Sequence, residues 1–198
     1  MIGKTLLVVM LLTSPLAALA AEPTDTRTYA DEDYGFSLHA PAGWARSNPA
    51  GYLVPGEICR SWSPDGKASL LIFMQHSSES PVPQALLTTS VDAVKSAFAA
   101  RIVTQEVRTV AGMQAMWLVF TANGTGMALG PKGEVPTTQH WVAIPRQRDV
   151  IVLLLTAPES DFAAFETAFT TALASLQVSG AQTDEQRASQ PKAPGAGR

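Results

Sequence analysis

Cysteine is nearly absent from this chain of 198 residues: Cys59 is the only one. A single thiol excludes an internal disulfide framework and any cysteine-rich zinc module. Charge is scarce too. Charged side chains make up 16 % of the sequence, against roughly 25 % in ordinary globular chains. Fourteen Lys and Arg face 17 Asp and Glu, a formal charge of −3. That balance gives no electrostatic hold on nucleic acid, which is not expected as a partner, nor on an anionic membrane surface. The apolar fraction is ordinary at 46 %, which rules out disorder throughout. The length suits one domain.

The N-terminus reads MIGKTLLVVMLLTSPLAALAA. Lys4 precedes an apolar run from Leu6 to Leu12, Thr13-Ser14-Pro15 breaks it, and Ala18-Leu19-Ala20 places small residues at −3 and −1. This is the three-part layout of a secretory signal peptide, with cleavage expected between Ala20 and Ala21. The run is too short to span a bilayer, which takes about 20 apolar residues. No cysteine lies near the cut to take a lipid. The organisation expected is a leader over 1–20, a single domain over 21–178 and a disordered tail over 179–198. That tail, SGAQTDEQRASQPKAPGAGR, has no aromatic and no apolar side chain larger than alanine. The chain is expected to work in a periplasm or outside the cell, spanning no membrane once the leader is cut.

Two segments carry the helical period. Leu87, Val91, Val94 and Phe98 form one stripe within about 83–100, with Ser80 a candidate cap and Pro81 and Pro83 suited to the first turn. Phe162, Phe165, Phe169, Leu173 and Leu176 form another within about 161–177, capped by Ser160 and closed by Gly180. The rest reads as strands. Glu57–Ser63 suits a sheet edge, and Ser63-Pro64-Asp65-Gly66 marks a turn. Leu70–Met74, Met116–Phe120 and Val150–Leu155 are apolar on both parities, so both faces of the sheet must be covered. Gly112 and Pro145–Arg148 mark hairpins. The expected fold is α+β: a mainly antiparallel sheet with helices on both faces, a three-layer sandwich.

The order of these features resembles the Mog1/PsbP-like superfamily, with its bacterial PsbP-related and DcrB-like envelope proteins. The resemblance rests on Tyr34-Gly-Phe-Ser-Leu-His-Ala-Pro-Ala-Gly-Trp44 after a leader, and on a Phe-rich final helix ending at Ser175-Leu176. It covers about 26–178. It implies the antiparallel sheet flanked by helices and a small non-catalytic, partner-binding role. It carries over no individual site residue.

Chemistry is thin. No Gly-x-Ser-x-Gly is present. Cys59 with His76 or His140, and Asp65 or Glu57 as a third member, makes a dyad only on paper. His39, His76 and His140 share no metal-binding spacing, so no metal and no cofactor is expected. Asp31-Glu32-Asp33 reads as a solvated turn rather than a calcium loop. Asn123-Gly-Thr125 fits a glycosylation sequon but is first a turn signal. Trp117 belongs in the core, and Trp44 plugs the end of the sheet.

The glycine-rich connection over 122–136 is long for a compact domain, and loops of that length are usually functional or mobile. Either it is irregular throughout, or the hairpin arms extend and only the tip is irregular. It carries Met127 and Leu129, and Trp141 lies close by. These three are the candidate binding residues. The function expected is a secreted binding or assembly-accessory module that holds an envelope protein. A carrier of a small apolar ligand comes second, and a Cys- or metal-dependent hydrolase a distant third.

Overall fold

Twelve elements follow one another in a computed structural model that describes residues 27–47, 56–77, 80–123 and 135–179. The leader, most of the tail, Gly180, Met127 and Leu129 lie outside the described residues.

A large antiparallel sheet forms the middle layer. Its strands are β3 (Ala45–Ser47), β4 (Glu57–Trp62), β5 (Ser69–His76), β6 (Arg101–Val110), β7 (Met113–Asn123), β8 (Pro136–Pro145) and β9 (Asp149–Pro158), in the spatial order β3-β4-β5-β9-β8-β7-β6. Helix α1 (Pro83–Phe98) carries the chain from β5 to the far edge, and β6 to β9 then return as hairpins until β9 lies beside β5. A second sheet of three strands, β1 (Thr28–Asp31), β2 (Phe36–His39) and β10 (Gln177–Val178), joins helix α2 (Phe162–Ala174) on one face.

Two-sided burial explains the apolar runs. On one face Met116, Leu118, Phe120, Val152 and Leu154 meet the α1 stripe of Leu87, Val91 and Val94. On the other, Leu70, Ile72, Val119, Val142 and Leu153 meet Phe169 and Leu173 of α2 and Phe36 and Leu38 of β2. Each fully buried Leu or Phe contributes about 1.5–3 kcal/mol, so neither face can be left to water. Helices on both faces and antiparallel pairing agree with the expectation.

Several details differ. β4 is an inner strand, because β3 pairs along its outer side. The three residues of β3 are too short to carry a readable period. The small sheet was also not apparent, since two-residue β10 follows α2 at once. Ser80 does not cap α1; its hydroxyl donates to the Gln147 carbonyl at 3.0 Å, and Pro83 starts the helix behind Val82. Ser160 does not cap α2 either, since Asp161 holds that position and makes no side-chain cap bond. The helix ends at Ala174, three residues short of Gln177.

Glycine stands where two of the turns need positive φ. Ser63 Oγ donates to Asp65 Oδ1 at 2.6 Å and Gly66 takes φ +70°. Ala111 and Gly112 both have positive φ, 50° and 79°, as a two-residue type I′ hairpin turn requires. Arg146, in the β8–β9 turn, pairs with Asp149 and donates to the Tyr34 carbonyl at 2.6 Å, tying that hairpin to the β1–β2 turn.

Candidate functional site

Helix α2 covers only part of its face of the large sheet. Its buried residues, Phe169, Ala172 and Leu173, pack toward the sheet centre and the small sheet. β6 and β7 reach past it, and a groove of about 430 Å3 remains between the helix and the sheet edge. That lies within the size range of small-ligand sites. Its floor is Trp117, Val119 and Thr121 of β7. One wall is Phe162, Ala163, Glu166 and Thr170 of α2, and the other is Arg101, Thr104 and Arg108 of β6.

Charged side chains, largely exposed, surround this floor. At one end Arg101 pairs with Glu159 and reaches Thr121 Oγ1 at 3.4 Å, and Thr121 is hydrogen-bonded to Thr138 at 3.0 Å. Toward the other end Arg108 lies 4.4 Å over the Trp117 ring and pairs with Glu106. Glu166 stands on the helix wall with Oε1 3.5 Å from Nδ1 of His140.

His140 sits behind the groove with no exposed surface. Its ring is edge-on to Trp117 at 4.2 Å and to Phe169 at 4.9 Å. Neither ring nitrogen makes a hydrogen bond. Burial, helped by the Arg108 cation, pushes its pKa down to about 3. The part-exposed Glu166 carboxylate does not reverse this, because water already solvates it. His140 is therefore a neutral imidazole at any ordinary pH.

The other candidates do not converge on it. Cys59 is buried, and burial pushes its thiol up to about 12. It lies on β4, three strands from His140 on β8. At about 4.8 Å per strand the two are at least about 14 Å apart, and Cys59 is level with Val142 rather than with His140. His76 pairs across from Asp149 at the end of β5, four residues from the partner of Cys59. His39 ends β2 and is exposed. Among the described residues no three His, Cys, Asp or Glu side chains gather as metal ligands. Asp31 accepts a hydrogen bond from the Tyr34 amide at 3.0 Å, so the acidic triplet opens a turn.

Trp44 is buried edge-on to Phe165 of α2. Trp117 is core and groove floor together. Trp141 is half-buried on the α1 face, edge-on to Phe120 and bonded through Nε1 to Gln139. It is not among the groove residues. The arms of the glycine-rich connection pair as far as Asn123 and Pro136, and the Glu159 backbone amide donates to the Pro136 carbonyl. The connection therefore leaves the sheet at the Arg101–Glu159 end of the groove. Sequence reasoning missed Arg101, Arg108, Glu159 and Glu166. Their shared face is set by strand parity and by where α2 lies, and neither shows in a residue pattern.

No protein-family model and no curated protein matches the chain. Solved structures do. Cyanobacterial PsbP (CyanoP) from Synechocystis sp. PCC 6803 superposes with a TM-score of 0.54 at 16 % identity, over 84 % of this chain and all of that one. LpqN of Mycobacterium tuberculosis, described as involved in cell envelope biogenesis, gives 0.55 at 17 % identity, over 77 % of this chain and 90 % of that one. A protein of Bacteroides thetaiotaomicron gives 0.52 at 12 % identity, with 48 % of its length covered.

Proposed function

Starting from a chain with the Mog1/PsbP-like fold, we propose that it is an extracytoplasmic, non-catalytic accessory module that holds an envelope partner in the groove between α2 and β6–β7. The observation that carries this reading is the groove: an apolar floor of Trp117 and Val119 framed by Arg101, Arg108, Glu159 and Glu166. Apolar contacts supply affinity there, and the charges of both signs around it set the orientation of a polar backbone. The connection carrying Met127 and Leu129 springs from the same end and is a proposed second contact. Trp141, on the α1 face, would serve a separate contact. The signal-like leader and the envelope role of LpqN support a place beyond the cytoplasm.

Ala163 is exposed on the helix wall, so Ala163→Trp fills the groove without disturbing the core. Tagged wild type and A163W are compared in capture from their own envelope fraction, with captured proteins identified by mass. One partner should be retained by wild type and lost by A163W at an unchanged melting temperature. Equal capture by both would remove the groove from the account. Deleting Gly124–Gly133 tests the second contact in the same assay. The mass of the exported chain should begin at Ala21.

A further inference from the structure

β6 is ten residues long and pairs on one side only, with β7. Its side chains are exposed or half-exposed up to the last, and among the described residues no strand pairs with its outer edge. An edge of this length is a row of unpaired backbone donors and acceptors. Two irregularities bound its straight part. The register shifts between Ile102 and Thr104, and the Ala111–Gly112 turn closes the other end. Between them Thr104–Val110 pairs residue for residue with β7, and the middle of that stretch is Val107.

The turn decides which groups point outward. In a two-residue hairpin the flanking residues, here Val110 and Met113, exchange both hydrogen bonds. Antiparallel alternation then turns the N–H and C=O of Thr109, Val107 and Gln105 away from β7. A second β6 approaching antiparallel must meet these groups with the same groups. With a two-fold axis at Val107, Val107 faces itself and Gln105 faces Thr109. Glu106 then faces Arg108 twice, in the closer, non-hydrogen-bonded positions. Moving the axis by one residue sets Glu106 against Glu106, or Arg108 against Arg108, which opposes pairing. Arg108 is already held over Trp117 and paired with Glu106 along its own strand.

We propose that two copies of this chain join edge to edge through β6, with Val107 on the two-fold axis, into one continuous sheet. The surface is isologous and self-complementary, as a closed dimer requires. Helix α1 lies over β6 and β7. At about 4.8 Å between strands, the two α1 helices come within about 10 Å, a packing distance rather than a clash. Both grooves then open on the same face. The dimer does not depend on the groove having a partner, so either idea can fail alone.

The test is sedimentation equilibrium on the chain without its leader, with circular-dichroism melting as a folding control. Wild type should dimerise. Glu106→Arg and Arg108→Glu each replace two attractions with two repulsions, and each should weaken association at least about tenfold. Mixing E106R with R108E restores opposite charges at both positions, so an equimolar mixture should form a heterodimer. Val107→Pro removes an outward N–H and should give a folded monomer. Wild type that is monomeric at about 100 µM, or single variants that dimerise as well as wild type, would overturn the proposal. A mixture that stays monomeric would overturn the register.

Discussion

Lowering the pH from about 7.5 to about 4.5 should destabilise this protein through His140 in particular. The imidazole is fully buried between Trp117 and Phe169, and its pKa in the fold is pushed down to about 3. In the unfolded chain it returns to about 6.5. Between those values the unfolded state binds a proton that the folded state refuses, so stability rises with pH across that window. The His140 contribution is complete above about pH 6.5 and is lost on acidification toward 3. From 6.5 to 4.5 is two units at about 1.4 kcal/mol each, about 3 kcal/mol in all. For a domain of this size that is a melting temperature lower by about 6–12 °C. Carboxylates also titrate in this range, so the informative quantity is a difference. His140→Leu keeps the volume and removes the titration. Urea unfolding of wild type and H140L at about pH 7.5, 5.5 and 4.5 should show wild type losing about 3 kcal/mol more than the variant. Parallel pH profiles would refute the reasoning. So would an imidazole that titrates near 6.5 by NMR in the folded protein.

Two further outcomes follow from packing. Gly56 has φ +77°, and a Cβ there would land on the Met74 carbonyl oxygen, which is fixed backbone. Gly56→Ala should cost about 2–4 kcal/mol in urea unfolding, and near-neutrality would show that the β4–β5 register can yield. Cys59, buried with its thiol pushed up to about 12, should resist a thiol reagent at neutral pH until the chain is unfolded. Prompt labelling of the native protein would mean that the space between the small sheet and β4 opens.

Legibility followed the range of the physics. The stripe of Leu87, Val91 and Val94 and the two-sided runs in β5, β7 and β9 are local statements about which surfaces must leave water. They predicted a covered sheet and both helices, and the hairpin signals at Gly112 and Pro145–Arg148 added the antiparallel pairing. The Pro-Asp-Gly turn and the hairpin at Gly112 were equally local, because glycine accepts the positive φ that each needs, whereas Ala111 takes φ 50° against its own preference. Caps were read less well. Ser80 and Ser160 have the right chemistry, but Ser80 found a tertiary acceptor on Gln147, and α2 begins one residue later than Ser160 requires.

His140 marks the boundary between the two kinds of information. In the sequence it is one of three histidines with no metal spacing. Its burial against Trp117 and Phe169 needs β7 beside β8 and α2 laid across them, residues up to 52 positions apart. The groove has the same origin. Arg101 and Glu159, or Arg108 and Trp117, share a surface because strand order and register bring them there. By itself the sequence determined the periods, the turns and the need for two covering layers, since each depends on a few neighbouring residues. Only the tertiary structure decided that α2 leaves β6 and β7 partly bare, that β6 ends the sheet with an open edge, and that the buried imidazole stays neutral. Those depend on which distant segments exclude water from one another.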